Sequence, residues 1–142
     1  MAILSNYDLN EMMKKFNINN VKIMSKDDIY NNKYKKYIIN MDDNKGKGTH
    51  WVGLIDNYYF DSFGLKPPNV IANLFNGKYY YNDKQFQFLK SNNCGWFVFY
   101  FILYFNNKNI NNNSYKKFLD SLNTYNNNDD TIIKYINNSI LN

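Results

Sequence analysis

Residues 91–105 read SNNCGWFVFYFILYF, and this stretch decides the fold that we expect for the chain. From Trp96 onwards the run is apolar on every side, and it is only about half as long as a membrane-spanning helix. A short run of this kind predicts a helix buried in the middle of a domain. Cys94 lies at the predicted N-terminus of that helix.

Cys94 is the single cysteine of the chain. The N-terminus of a helix presents free N–H groups and a positive dipole end to the sulfur, which favours the reactive thiolate. We therefore expect an accessible, activated thiol. The alternative is a small buried core cysteine, which is the commoner fate of a lone cysteine. No internal disulfide can form, so we expect a reducing compartment.

His50 is the only histidine, so any mechanism that needs an imidazole near neutral pH has to use it. The alternative is an ordinary histidine in a strand. His50 begins a run at residues 49–55 that predicts a strand, and residues 58–61 predict a second one. The intervening Asp56 and Asn57 suit a tight turn, so we expect an antiparallel hairpin.

Asp61 ends the second of these strands. A carboxylate there can accept a hydrogen bond from the second imidazole nitrogen of His50 and fix its tautomer. The alternative is that Asp61 caps the turn at SFG that follows it, and the two roles are compatible.

Gln87 lies seven residues before Cys94. Its side-chain amide can donate to an oxyanion together with the backbone N–H of Cys94. Residues 84–88 alternate between polar and apolar side chains, which predicts a strand with Gln85 and Gln87 on one face and the phenylalanines on the other. Gln85 is therefore the rival donor. The alternative for either glutamine is a polar residue on the exposed face of an edge strand.

The other segments mix helix and strand patterns, which predicts one α+β domain over residues 1–142. Ser5 and Asp8 predict an N-cap box for a first helix, and residues 42–48 predict a polar loop. Further strands are expected at 21–24, 37–41 and 78–81, and further helices after Pro67 and Pro68 up to Gly77, at 115–122 and at 131–141.

The charge of the chain is basic, with 17 lysines, no arginine and a formal net charge of +5. This balance is compatible with nonspecific contact with DNA. The first residues lack the pattern of a signal peptide, and no run is long enough to span a bilayer, so we expect no membrane association.

Three stretches occur in an order typical of one enzyme family: GTHWVGLI at 48–55, YYFDSFG at 58–64 and QFLKSNNCGWF at 87–97. They resemble the adenovirus maturation protease and its relatives in large DNA viruses and virophages, which share a distant fold with the ubiquitin-like-protein proteases. The resemblance implies a papain-like cysteine protease fold, in which a mixed central sheet packs with helices. It implies Cys94 as nucleophile, His50 as base, Asp61 as its orienting acid and Gln87 as oxyanion donor.

The same resemblance implies a function and a location. The substrates would be viral capsid or core precursor proteins, cut during virion maturation at sites rich in small residues such as glycine. The enzyme would occur in the virion and, during assembly, in the host cytoplasm or the viral factory. No metal or organic cofactor is implied. The adenovirus enzyme is activated by DNA and by a disulfide-linked peptide, and this chain has no second cysteine for such a link.

Three other functions stay open from the sequence. A protease that removes ubiquitin-like modifiers would use the same four residues. An acetyltransferase of related fold would use the same thioester step. A noncatalytic nucleic-acid-binding protein would use the abundant lysine and tyrosine side chains instead.

Overall fold

The computed structural model describes residues 3–31, 33–42, 50–88, 91–122 and 128–141. Within these residues, five strands form one mixed sheet in the order in which they occur along the chain. The strands are β1 (Val21–Ser25), β2 (Lys36–Asn40), β3 (Trp51–Ile55), β4 (Tyr58–Phe60) and β5 (Tyr80–Tyr81). The two outer pairs, β1 with β2 and β4 with β5, are parallel, and the inner pairs are antiparallel.

Five α-helices accompany the sheet in the described residues, so the predicted α+β class is confirmed. They are α1 (Asn6–Lys15), α2 (Asn69–Ala72), α3 (Cys94–Tyr104), α4 (Asn112–Ser121) and α5 (Asn128–Leu141). None of these helices is long and apolar enough to cross a membrane.

The central strands β2, β3 and β4 are buried on both faces, because their residues alternate between two apolar clusters. In β3, Trp51 and Ile55 face the larger cluster, which also contains the buried side chains of α1, α3, α4 and α5. Val52 and Leu54 face the smaller cluster with Ile71 of α2. Helices therefore cover both sides of the central strands.

The apolar run that starts at Trp96 lies in α3, and the prediction of a central buried helix is confirmed. Phe97, Val98 and Phe101 are completely buried. Gly53 in β3 allows α3 to lie close, since a Cβ at this position would be 2.6 Å from the Phe101 ring. Cys94 is the first residue of this helix, as expected from the sequence.

Two local predictions are also confirmed. Ser5 and Asp8 form the expected capping box at the start of α1. The turn between β3 and β4 uses Asp56 with a φ of 52°, in the left-handed region that aspartate and asparagine tolerate. The hairpin consequently pairs Gly53 with Phe60 and Ile55 with Tyr58.

The prediction of a strand at residues 84–88 is wrong. The backbone N–H groups of Phe86 and Gln87 both donate to the carbonyl oxygen of Ser62, at 2.8 and 3.0 Å, and no strand ladder forms. Phe86 and Gln87 are both buried, whereas Phe88 is 47% exposed, so the predicted two-faced alternation is absent. The preceding strand is also shorter than expected and comprises only Tyr80–Tyr81. Residues 43–48 of the predicted loop lie outside the described residues.

Candidate active site

The antiparallel hairpin brings His50 and Asp61 together. His50 immediately precedes β3, and its carbonyl oxygen accepts from the N–H of Met41 at 2.8 Å, which extends the pairing of β2 with β3. Asp61 follows β4. Nε2 of His50 lies 2.9 Å from Oδ1 of Asp61, and the Asp61 side chain is only 3% exposed.

Asp61 also caps the turn that follows it. Its Oδ1 accepts from the N–H of Phe63 at 2.8 Å while it contacts His50. Both sequence interpretations of this aspartate therefore hold at once. The backbone of Asp61 is fixed as well, because its N–H donates to Oδ1 of Asn82 at 3.0 Å and its carbonyl oxygen accepts from Nδ2 of the same side chain.

The turn after Asp61 supports the imidazole from one side. The Phe63 ring stacks on the His50 ring with a centroid distance of 4.9 Å and an interplanar angle of 25°. Gly64 closes the turn with a φ of +80°, and a Cβ there would lie 2.8 Å from the carbonyl carbon of Lys84. Only glycine fits both the conformation and the space at this position.

Cys94 also contacts the imidazole of His50. Burial lowers the pKa of His50, but hydrogen bonds with Asp61 and Cys94, together with the negative charges of both groups, raise the pKa to about 9. Because Nε2 is used by Asp61, Nδ1 is the ring nitrogen left for the sulfur. The raised pKa favours the imidazolium form of His50 at neutral pH.

Cys94 itself is only 2% exposed, so the expectation of an accessible thiol is wrong for this conformation. The cause is the apolar character of α3 on every side, which packs even the first residue of the helix into the larger cluster.

Gln87 is fully buried, which excludes its interpretation as an exposed residue of an edge strand. Its amide oxygen accepts from Oγ of Ser62, and its amide nitrogen donates to the carbonyl oxygen and to Oγ of Ser91, at 3.0 and 2.9 Å. Ser91 lies three residues before Cys94. The Gln87 amide thus bridges the turn after Asp61 and the segment that leads into α3.

Gln85 has a different environment. Its side-chain amide donates to the carbonyl oxygen of Gln87 at 2.8 Å, and the residue is partly exposed. The two glutamines do not share one face, so the structure separates two candidates that the sequence left equivalent.

The first turn of α5 contacts both the segment that contains Gln87 and the residue that precedes α3. Oδ1 of Asp129 accepts from the N–H of Phe88 at 3.2 Å, and Oδ2 accepts from Nδ2 of Asn93 at 2.9 Å. Asn128 donates to the carbonyl oxygen of Phe86 at 3.2 Å. This helix therefore positions both Gln87 and the residue that precedes Cys94.

Sequence reasoning missed several of these supporting residues. Ser62 and Phe63 lie inside the quoted motif, so their position beside Asp61 was a usable signal. Ser91 also lies inside a quoted stretch, four residues after Gln87. Asn82 and Asp129 act across long sequence distances, and a single sequence holds no pattern that would single them out. Among the described residues, no group of three or more His, Cys, Asp and Glu side chains could hold a metal ion.

No family model matches the chain, and no curated protein matches it significantly.

Proposed function

We propose that this chain is a papain-like cysteine endopeptidase of the adenovirus-protease type, which cleaves viral capsid or core precursor proteins. The observation that carries the proposal is the continuous contact from Asp61 through His50 to Cys94 at the start of α3. A carboxylate, an imidazole and a thiol in this order are the groups that nucleophilic acyl transfer requires.

The first half of the reaction forms a thioester. The Cys94 thiolate attacks the scissile carbonyl carbon, and the carbonyl electron pair moves to oxygen. The backbone N–H of Cys94, in the first turn of a helix where N–H groups lack intrahelical partners, and the Gln87 amide stabilise this oxyanion. When the intermediate collapses, the C–N bond breaks and the His50 imidazolium donates its proton to the leaving amine.

The second half hydrolyses the thioester. His50, now neutral, accepts a proton from water while the water oxygen attacks the thioester carbonyl. Collapse of the second oxyanion breaks the C–S bond, releases the carboxylic acid and restores the thiolate beside the imidazolium. Asp61 keeps Nε2 of His50 hydrogen-bonded throughout, which holds Nδ1 toward the sulfur.

The burial of Cys94 supports a substrate with small side chains at the scissile bond. A sulfur that is almost fully covered is reached more easily by a glycine-rich segment than by a segment with bulky side chains. This agrees with the cleavage sites that the family resemblance implies. The assignment to viral capsid or core precursors, and to the virion and viral factory, rests on that resemblance.

The decisive experiment is incubation of the purified chain with glycine-rich peptides and with a viral capsid precursor. Cys94→Ala and the nearly isosteric Cys94→Ser serve as matched variants. We expect cleavage by the wild type and none by either variant. Absence of cleavage by the folded wild type would contradict the proposal.

Two further substrates distinguish the alternative functions, modifier removal and acyl transfer, from the proposed one. Cleavage of a ubiquitin-like conjugate without cleavage of the capsid precursor would assign the chain to modifier removal. Transfer of an acetyl group from acetyl-coenzyme A to lysine, without peptide cleavage, would assign it to acyl transfer.

A further inference from the structure

Ser62 contacts Gln87 through both its backbone and its side chain. Its carbonyl oxygen accepts the N–H groups of Phe86 and Gln87, and its Oγ contacts the amide oxygen of Gln87. Ser62 is fully buried, so no solvent competes for these contacts. The backbone hydrogen bonds fix the main chain at Gln87, and the Ser62 hydroxyl fixes the Gln87 side chain.

The direction of the side-chain hydrogen bond follows from the other partner of the amide. The carbonyl oxygen of Ser91 can only accept, so the group that faces it must be the amide nitrogen of Gln87. The amide oxygen of Gln87 then faces Ser62, and the Ser62 hydroxyl must donate. The two serines together fix the orientation of the Gln87 amide, with its oxygen facing Ser62 and its nitrogen facing Ser91.

We propose that Ser62 is a positioning residue for the oxyanion donor, and that its hydroxyl holds the Gln87 amide nitrogen toward Ser91, three residues before Cys94. This inference rests on the proposed function, in which Gln87 donates to the oxyanion. Without the hydroxyl, the amide oxygen would be buried without a donor. The last torsion of a glutamine side chain is broad, so the amide would lose its fixed orientation.

In this arrangement, the turn after β4 has two roles. Asp61 orients the base through His50, and Ser62, the next residue, orients the oxyanion donor through Gln87. A displacement of this turn would therefore affect proton transfer and oxyanion binding together. Removal of the Ser62 hydroxyl alone affects only the second role.

The test is a double-mutant cycle on hydrolysis of one peptide, with wild type, Ser62→Ala, Gln87→Ala and the double variant. Ser121→Ala is the control for loss of a serine hydroxyl away from Gln87: it removes an exposed hydroxyl in α4 that donates to the carbonyl oxygen of Phe118 and contacts the Tyr100 hydroxyl. Circular dichroism checks folding. The rate of Cys94 alkylation by iodoacetamide checks the thiol and His50, since this reaction needs no oxyanion donor.

We expect Ser62→Ala to lower kcat by about tenfold or more with little change in KM, because part of the transition-state hydrogen bond is lost. Alkylation should stay at the wild-type rate, and Ser62→Ala should add nothing in the Gln87→Ala background. Ser121→Ala should have the wild-type kcat.

Three kinds of result would overturn the inference. A normal kcat in Ser62→Ala, or a full additional loss in the double variant, would show that Ser62 does not act through Gln87. Failure of Ser62→Ala to fold would show that the hydroxyl serves the fold instead. Absence of hydrolysis by the wild type would overturn the proposed function as well, and this result is distinct from the other two.

Discussion

Nε2 of His50 lies 2.9 Å from Oδ1 of Asp61, at the open end of the hairpin formed by β3 and β4. This contact fixes the ring of the only histidine in the chain and stabilises its protonated form. It also leaves Nδ1 as the nitrogen that can exchange a proton with Cys94. A measurement of the protonation state of His50 therefore tests this arrangement of Asp61, His50 and Cys94 directly.

The first prediction concerns the pKa of His50, which NMR can follow through a single set of imidazole resonances. We expect the wild-type ring to titrate at about 9. Asp61→Asn should lower this pKa, because the amide removes the negative charge that stabilises the imidazolium. Asp56→Asn, in the turn at the other end of the hairpin, should leave it unchanged. Equal values in wild type and Asp61→Asn would contradict the assigned contact.

The second prediction concerns the pH dependence of stability. The pKa of His50 is raised from 6.5 to about 9 on folding, so the folded state binds more protons between these values. The stabilisation is complete below pH 6.5 and is lost as the pH rises through 9, by on the order of 1 to 3 kcal/mol. Urea unfolding should show this loss in wild type relative to His50→Asn. A difference between the two that does not change from pH 6 to 9.5 would refute the raised pKa.

Much of the fold followed from local patterns. The capping box at Ser5, the turn at Asp56 and the all-round apolar run of α3 each specify structure within a few residues. The contact of His50 with Asp61 followed because a tight hairpin fixes which residues meet across it. These features need no knowledge of distant parts of the chain.

The segment around Gln87 could not be predicted in the same way. Its polar and apolar alternation is typical of a strand, but its backbone N–H groups bond to Ser62, 24 and 25 residues earlier. Contacts with Ser91 and with the first turn of α5 then bury the side chain and the adjacent backbone. Tertiary hydrogen bonds overrode the local pattern here.

The third prediction concerns the reactivity of Cys94. Iodoacetamide should alkylate the native wild type at pH 7 faster than His50→Ala, because in the proposed pair the His50 imidazole takes the proton of the attacking thiol. Burial of the sulfur lowers both rates, so the ratio of the two rates is the measurement. Mass spectrometry of timed samples gives these rates. Equal rates would mean that Cys94 and His50 do not form a catalytic pair.

The fourth prediction separates the two glutamines. Gln87→Ala should lower turnover by about 10² to 10³, the typical cost of removing one oxyanion donor. Gln85→Ala should have a much smaller effect, since its amide donates to the backbone of Gln87. Turnover of both variants on one peptide, with circular dichroism to confirm folding, decides between them. A large loss at Gln85 together with a normal rate at Gln87 would overturn the assignment.

The fifth prediction concerns Ser91, which accepts both hydrogen bonds that the Gln87 amide nitrogen donates. A nitrogen with two hydrogens has none left for an oxyanion in this arrangement, so the oxyanion has to replace one of the two acceptors. Ser91→Ala removes the hydroxyl acceptor and keeps the carbonyl that orients the amide. We therefore expect turnover to stay within a few-fold of wild type, or to rise, in contrast with Gln87→Ala. Steady-state kinetics of Ser91→Ala and Ser121→Ala on the same peptide measure this effect. A loss as large as that of Gln87→Ala would show that the Ser91 hydroxyl supports the active arrangement of the amide and does not compete with the oxyanion.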